Sequence, residues 1–436
     1  MTQQTDLPNC IVAQSGGPTV AINASLAGVI HASVGHYGTV YGSINGILGI
    51  LNQNYLNLTE LTASGRDALQ QLATTPAMYL GSCRYKLKDY REDPSDYEKI
   101  FEQFDALNIK GFFYIGGNDS MDTVLKLSDY AASIGSDIRI IGIPKTIDND
   151  LMITDHTPGF GSAAKYIAST LLEIAHDTII YPVKSITIVE IMGRDAGWLT
   201  AASALARNTY CDAPHLIYLP ECTFNTEDFL ADVRELLTER DNVIVAVSEG
   251  IHDAEGNYIS AGESATDTFG HSQLSGAGKA LELLIKASIP VKVRSVEINI
   301  LQRCAAHLSS ATDLKEAFFS GEKAVTLALQ GVTASMVVMK RTSDEPYTIV
   351  YDYAKIKNIA NEAKSVPRKW INARGNNVTE EMLAYLTPLI QGEVPVTYYH
   401  GLPSYGCVAS CRTGSQFLIK SPRLPSRRGF FTNLLF

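Results

Sequence analysis

The segment PKTIDND, residues 144–150, sets an ammonium, a hydroxyl and two carboxylates side by side as Lys145, Thr146, Asp148 and Asp150. A turn built on an Asx side chain needs one such residue. The run Asp148-Asn149-Asp150 beside a lysine makes instead a site for a cation, a phosphate and a proton. One carboxylate can take a hydroxyl proton as a nucleophile forms, while the other orients a metal or the first carboxylate. Perturbed carboxylate pairs gather at functional loops. A second loop, EIMGRDAGW at 190–198, puts Arg194 directly after Gly193, at the expected end of a strand and start of a helix. Guanidinium suits a two-pronged hold on a phosphoryl group, and Met192 offers soft apolar contact to a sugar face.

Two glycine loops add anion-binding capacity. SGGPT at 15–19 and GGNDS at 116–120 each follow an apolar run and precede a helix-period stretch. Such a junction turns free backbone N–H groups and the positive end of a helix dipole toward an anion. Gly16-Gly17 reads equally well as plain turn chemistry, and Asp119 or Ser120 as an N-cap. Two loops facing one crevice, however, can grip a chain of phosphates. Arg84 in YLGSCRYKL, with Arg294 and Arg303 in VRSVEINILQRC, supplies further positive charge.

These loops need elements to hold them. Apolar runs at 10–14, 111–115, 138–143, 185–192, 215–219 and 243–247 alternate with turn residues and helix-period stretches. Continuous apolar strands between helices predict an α/β protein with parallel sheets covered on both faces. Ligands of such sheets bind at the carboxyl ends of the strands, where the loops above and SEG at 248–250 fall. Polar stretches at 88–98 and 252–275 read as surface loops or lids. Beyond about residue 355 the rhythm weakens, and the segment 421–436 shows no clear period.

Composition bounds the remaining choices. The chain has 436 residues, 45% hydrophobic and 19% charged, enough for one large core or two ordinary ones. No apolar run approaches the roughly 20 residues of a membrane span, and the first ten residues lack a signal pattern, so a cytoplasmic protein with no membrane partner is expected. The 36 basic and 46 acidic side chains leave a net charge of −10, which disfavours nucleic acid as a partner. An anionic substrate must then meet a local cluster of Arg, Lys and N–H groups. The seven cysteines are scattered without metal or redox spacing and read as reduced thiols.

Together the motifs SGGPTVAIN, LGSCR, YIGGNDS, PKTIDND, TPGFGSA, EIMGRDAGW, SEG and VRSVEINILQR resemble the phosphofructokinase family over roughly residues 10–330. The resemblance implies a glycolytic, Mg²⁺-dependent transfer of a phosphoryl group to the 1-hydroxyl of fructose 6-phosphate. It makes Asp148 the base, Asp150 its support, Thr146 a neighbour of the transferred group and Arg194 the stabiliser of its charge. Met192, Gly193, Glu249, Arg294 and Arg303 match sugar-phosphate positions, and Gly17, Arg84, Gly116 and Gly117 match the phosphate-donor side. Asp119 and Lys145 stand where ATP-using members generally have glycine and resemble the pyrophosphate-using members. A carboxylate at 119 obstructs the α-phosphate of ATP, and the Lys145 ammonium neutralises the short pyrophosphate. One such contact at about 4 Å and an effective dielectric of about 20 is worth on the order of 4 kcal/mol before desolvation.

The chain departs from the family at three positions. Asn118 stands where an Asp often helps hold Mg²⁺, leaving Asp119 as the other metal candidate. Ser185 replaces an Arg that reaches a neighbouring subunit's sugar phosphate, with Lys184 as the candidate substitute, and Ile300 replaces a His. The family implies two α/β domains, 1–160 with about 304–350 on the donor side and 161–303 on the sugar side, the active site between them, and a homodimer or homotetramer. Residues 351–436 are left without an assigned packing. An ATP-dependent kinase and a catalytically silent sugar-phosphate-binding subunit are the competing readings.

Overall fold

Cys10, Ile11, Val12 and Ala13 are all fully buried, as a strand covered on both faces requires. In the computed structural model, which describes residues 7–63, 66–260, 265–266, 272–273 and 276–406, they belong to the strand Asn9–Gln14 of a seven-stranded sheet. Across that sheet the strands run Tyr347–Lys355, Ser335–Asp344, Arg139–Pro144, Ile109–Gly116, Asn9–Gln14, Val40–Ser43 and Tyr55–Asn57. The five inner strands pair in parallel, and the two outermost pair antiparallel. A second, four-stranded sheet is parallel throughout, in the order Lys292–Glu297, Ser185–Ile191, Asn242–Ser248 and Leu216–Tyr218.

Helices cover both faces of each sheet, as expected. Ile22–Ser33 and Ala311–Leu329 pack one face of the larger sheet, and Ser95–Ala106 with Asn118–Ser133 pack the other. Phe160–Ile179 lies on one side of the smaller sheet, Thr226–Glu239 and Ala277–Ser288 on the opposite side. The larger sheet's cores take residues before about 160 and again Ala306 through Ala360. The smaller sheet's cores take Ile147 through Ile298 and again Val366 through Leu389. The segment after 355 therefore crosses from one unit to the other. Its short helix Glu380–Leu386 buries Met382 and Leu386 against the second unit.

All six expected strands form. The five other strands of these two sheets lie at or next to an edge, and two of them show why they carry little apolar signal: Lys292–Glu297 exposes both its ends, and Tyr347–Lys355 has no fully buried residue. Only part of the polar stretch at 88–98 is a loop, because Ser95 opens the helix Ser95–Ala106 and the Tyr97 hydroxyl donates to the Lys88 carbonyl at 2.5 Å. Within 252–275, a turn at 253–257 closes on Asp253, with Asn257 N donating to Oδ1 at 2.8 Å. The segment 421–436, Cys407, Cys411 and most of 261–275 lie outside the described residues. Cys10, Cys83, Cys211, Cys222 and Cys304 are free thiols, as expected. No helix among the described residues is long and apolar enough to cross a membrane.

Candidate active site

Within each sheet, register brings the loops together. Ile115 pairs with both Gln14 and Ile143, so SGG, GGN and PKT leave three adjacent strands at one level. Ile191 pairs with Ser248, placing MGR beside SEG at the end of the second sheet. Side-chain size then fixes the detail. A Cβ on Gly116 would lie 1.9 Å from Ser120 Oγ, and one on Gly250 would lie 1.7 Å from the Arg194 carbonyl oxygen. Neither turn can close around a larger residue.

Lys145 is 1% exposed, and its Nζ donates to the Gly17 carbonyl at 2.7 Å. A Cβ on Gly16 would meet that Nζ at 3.2 Å, so the ammonium plugs the space between the two glycine turns. Burial lowers its pKa to about 7, with Arg303 pushing the same way and Asp148 and Asp150 opposing. The guanidinium of Arg303, expected at the sugar phosphate, lies by Gly17: a Cβ there would be 3.2 Å from Nη1.

Asp148 and Asp150 are half-buried on either side of Asn149, whose φ of 55° is left-handed. Asn149 Nδ2 donates to the Tyr385 hydroxyl at 2.9 Å. Thr146 Oγ1 accepts from Asp148 N at 3.1 Å, and lies 3.4 Å from its carboxylate. Burial pushes Asp148 up, against the pull of Lys145, Thr146, Arg194 and Arg303. Asp150 is pushed to about 7 by burial and by the Asp148 charge, and its buried Oδ1 has no partner among the described residues. From the second sheet, Glu249 is likewise raised to about 7 by burial, although Gly193 N donates to it at 3.2 Å. Among the described residues Arg194 Nε is also buried without a partner. The crevice thus holds cations and carboxylates that satisfy one another incompletely, the state that a ligand with phosphate oxygens and hydroxyls completes.

The other expected residues fall around this centre. Asp119 is exposed in the first turn of Asn118–Ser133, whose N-cap is Gly117 without any side-chain cap bond, so neither Asp119 nor Ser120 caps it. Asn118 accepts from Asn361 N at 2.8 Å and donates to the Glu362 carbonyl at 2.7 Å. Both ends of its carboxamide are bonded to backbone, so that it clasps residues 361 and 362. Arg84 is exposed beside Ser82, which donates to the Gly16 carbonyl at 2.8 Å. Met192 is half-buried against the second core.

Arg294 is set apart. It pairs in register with Thr187, four residues before the strand end at Ile191, about 13 Å along the sheet, and its ion pair is with Asp177 at 3.6 Å. Ser185 donates to Asn242 at 2.7 Å, Lys184 to the Leu237 carbonyl at 2.5 Å, and Ile300 is 54% exposed.

Sequence reasoning missed the second layer. Lys364 Nζ donates to the Asp155 carbonyl at 2.7 Å and the Thr154 carbonyl at 3.2 Å, and lies 3.4 Å from Asn149 Oδ1. The Tyr385 hydroxyl donates to the Asp155 carbonyl at 2.7 Å, and Glu221 accepts from Gly197 N and Val366 N at 2.9 and 2.8 Å. These partners lie far along the chain, in segments with no motif to flag them.

Among the described residues no group of three or more His, Cys, Asp or Glu is arranged to hold a metal alone. Mg²⁺ keeps several waters and takes phosphate oxygens, needing only one or two protein carboxylates. Asp150, with its orphaned oxygen, and the exposed Asp119 fit that requirement.

The phosphofructokinase family model matches residues 9–328. A pyrophosphate–fructose 6-phosphate 1-phosphotransferase of Halomonas elongata is 42% identical over 409 residues, 93% of this chain and 97% of that one. A protein of the same name from Xanthomonas campestris is 42% identical over 400 residues, 91% and 95% of the two chains. The crystal structure of a pyrophosphate-dependent phosphofructokinase from Nitrosospira multiformis is 36% identical and superposes with a TM-score of 0.84, over 95% of this chain and all of that one. The likeness extends past residue 330, beyond the region whose motifs announced it.

Proposed function

The chain belongs to the phosphofructokinase family, and on that premise we propose that it transfers a phosphoryl group reversibly from pyrophosphate to the 1-hydroxyl of fructose 6-phosphate, giving fructose 1,6-bisphosphate and orthophosphate. The observation that carries the choice of donor is the buried Lys145 ammonium between the glycine turns. It fills space that a longer nucleotide chain would need and meets a short diphosphate with charge. Its lowered pKa leaves it partly neutral in the free protein, and a bound polyanion draws the proton back on.

In the reaction, Asp148 accepts the proton of the 1-hydroxyl as that oxygen bonds to phosphorus. The bridging P–O bond of pyrophosphate breaks, and orthophosphate leaves with the electron pair. A raised pKa brings Asp148 closer to the working pH while leaving it ionised above its own pKa, the condition for a general base. Arg194, with Nε unpartnered, is free to hold the oxygens of the group in transit, and Thr146 lines its path. Glu249 and Met192 face the sugar, Gly17, Gly116, Gly117, Arg84 and Asp119 the donor, and Arg303 the boundary between them. Asp150 and Asp119 would hold Mg²⁺, which when bound would supply positive charge to the phosphate oxygens.

We place this activity in the cytoplasm and in a homodimer or homotetramer. Ile179, Ile180, Tyr181 and Tyr210 are exposed around one cavity, an apolar surface that a second copy would cover. Sedimentation of a monomer at micromolar concentration would contradict that assembly. The function itself is tested by supplying fructose 6-phosphate and Mg²⁺ with either donor. Fructose 1,6-bisphosphate is expected from pyrophosphate, and its formation from ATP alone would overturn the reading.

A further inference from the structure

Residues 361–366, NEAKSV, run over the surface between the two sheet units, and the chain is exposed at Asn361, Glu362, Ala363 and Ser365. Apolar packing does not hold this stretch until Val366. Polar bonds do, and they go to three loops of the active site. At one end Asn118 of GGNDS bonds the backbone of 361 and 362, and Asn361 Nδ2 donates to Asp122 Oδ1 at 3.1 Å. In the middle, Lys364 N donates to the Asp150 carbonyl at 2.7 Å, while its Nζ gathers the Thr154 and Asp155 carbonyls. Trp198 of MGRDAGW donates Nε1 to the Lys364 carbonyl at 2.8 Å, and its ring lies 5.1 Å beneath the Lys364 ammonium. At the far end Glu221 ties Val366 N to Gly197 N of the same loop.

We propose that 361–366 is a positioning strap for the phosphoryl transfer, fastened at Asn118 and centred on Lys364, which fixes the donor loop, the carboxylate loop and the arginine loop relative to one another. The three loops come from different strands of two separate sheets, so no single element holds them in common. The strap explains why an amide stands at position 118. Asn118 must donate at one end and accept at the other, and a carboxylate cannot donate to the Glu362 carbonyl. Lys364 is a positioning residue: its ammonium is spent on backbone carbonyls and the Trp198 face, and it acts through the loop that carries Asp148 and Asp150.

This inference rests on the proposed reaction, and the test separates the two. Wild-type protein, Asn118→Asp and Lys364→Met are compared at full length for kcat and KM with fructose 6-phosphate, pyrophosphate and Mg²⁺, and for tryptophan emission. Misplacing reacting groups by about 1 Å costs up to about 100-fold in rate, so kcat should fall about 10- to 100-fold in both variants. KM for either substrate should stay within about twofold, and Lys364→Arg should recover part of the loss. Trp198, one of only two tryptophans, should report a released strap by a shift in emission. If position 118 instead serves a metal, Asn118→Asp turns over at the wild-type rate or faster with a lower Mg²⁺ requirement, and the proposal fails. It fails also if a folded Lys364→Met keeps wild-type kcat. Should Lys364→Met not fold, Asn118→Asp decides. A wild-type protein inactive with pyrophosphate would refute the proposed reaction, leaving the emission of Asn118→Asp to judge the strap by itself.

Discussion

Asp148 and Asp150 lie a few residues before Asp155 and His156, and both pairs are withdrawn from water, yet their charges are treated in opposite ways. His156 is 1% exposed and sits between Asp155 at 2.8 Å and Glu316 at 2.6 Å. Arg341 bonds Asp155 at 3.0 Å, and the Tyr347 hydroxyl donates to Glu316 at 2.8 Å. Burial works against the imidazolium, but the Glu316 charge and the bonds to Asp155 and Glu316 outweigh it and hold His156 at about 9. Asp155 is held below its ordinary value despite burial, by His156 and Arg341. At Asp148 and Asp150 burial wins, and one carboxylate oxygen has no partner. In this ion network His156 and Asp155 gain more support for their charges than water gives them. A site kept for ligands leaves its charges short of support until substrate arrives.

Breaking the under-supported pair should cost activity and spare stability. Asp148→Asn is expected to lower turnover by about 10²–10⁴, the usual scale for removing a general base, with a thermal midpoint equal to or above that of the wild type. A loss below tenfold would move the base role elsewhere. Breaking the supported pair should do the reverse. Because the pKa of His156 is raised from 6.5 to about 9, its stabilisation is whole below pH 6.5 and is lost as pH rises through 9. The shift corresponds to on the order of 3 kcal/mol. Lys145 works in the opposite direction over the same window, so the contribution of His156 is read as a difference: the excess of the wild-type thermal midpoint over that of His156→Gln should shrink between pH 6.5 and 9.5, and a difference that does not change with pH would show that His156 is not the group responsible.

Two smaller effects sharpen the contrast. If Asp119 and Lys145 bar the longer donor as proposed, Asp119→Gly with Lys145→Gly should lower pyrophosphate turnover about tenfold and admit measurable turnover with ATP. An unchanged donor preference would show that the choice is made elsewhere. The exposed pair Arg294–Asp177 has neither support nor strain, and such pairs contribute about 0–1 kcal/mol. Arg294→Ala should leave the thermal midpoint within about 2 °C, and a larger drop would reveal a further partner for this arginine.

The sequence makes the inner strands and the chemistry-bearing loops legible because both are local. Val12 or Ile141 is apolar in an apolar run, and PKTIDND is charged at a strand end. What it conceals is assembled from distant parts. Lys364 is separated by more than two hundred residues from the loop it fastens, and Tyr385 by more still; neither stands in a motif. Edge strands such as Lys292–Glu297 were hidden because one side faces outward and takes polar residues. Asn118 shows a subtler limit: the residue type signalled a departure, but only the backbone of 361–362 beside it shows what the amide does.

The central claim, that the crevice reserves its unsatisfied charge for a short diphosphate, is tested most directly by running the reaction backward under phosphorus NMR. With fructose 1,6-bisphosphate, Mg²⁺ and orthophosphate, the resonance of pyrophosphate should appear as that of the sugar 1-phosphate declines. No pyrophosphate, together with ATP formed when ADP replaces orthophosphate, would contradict it.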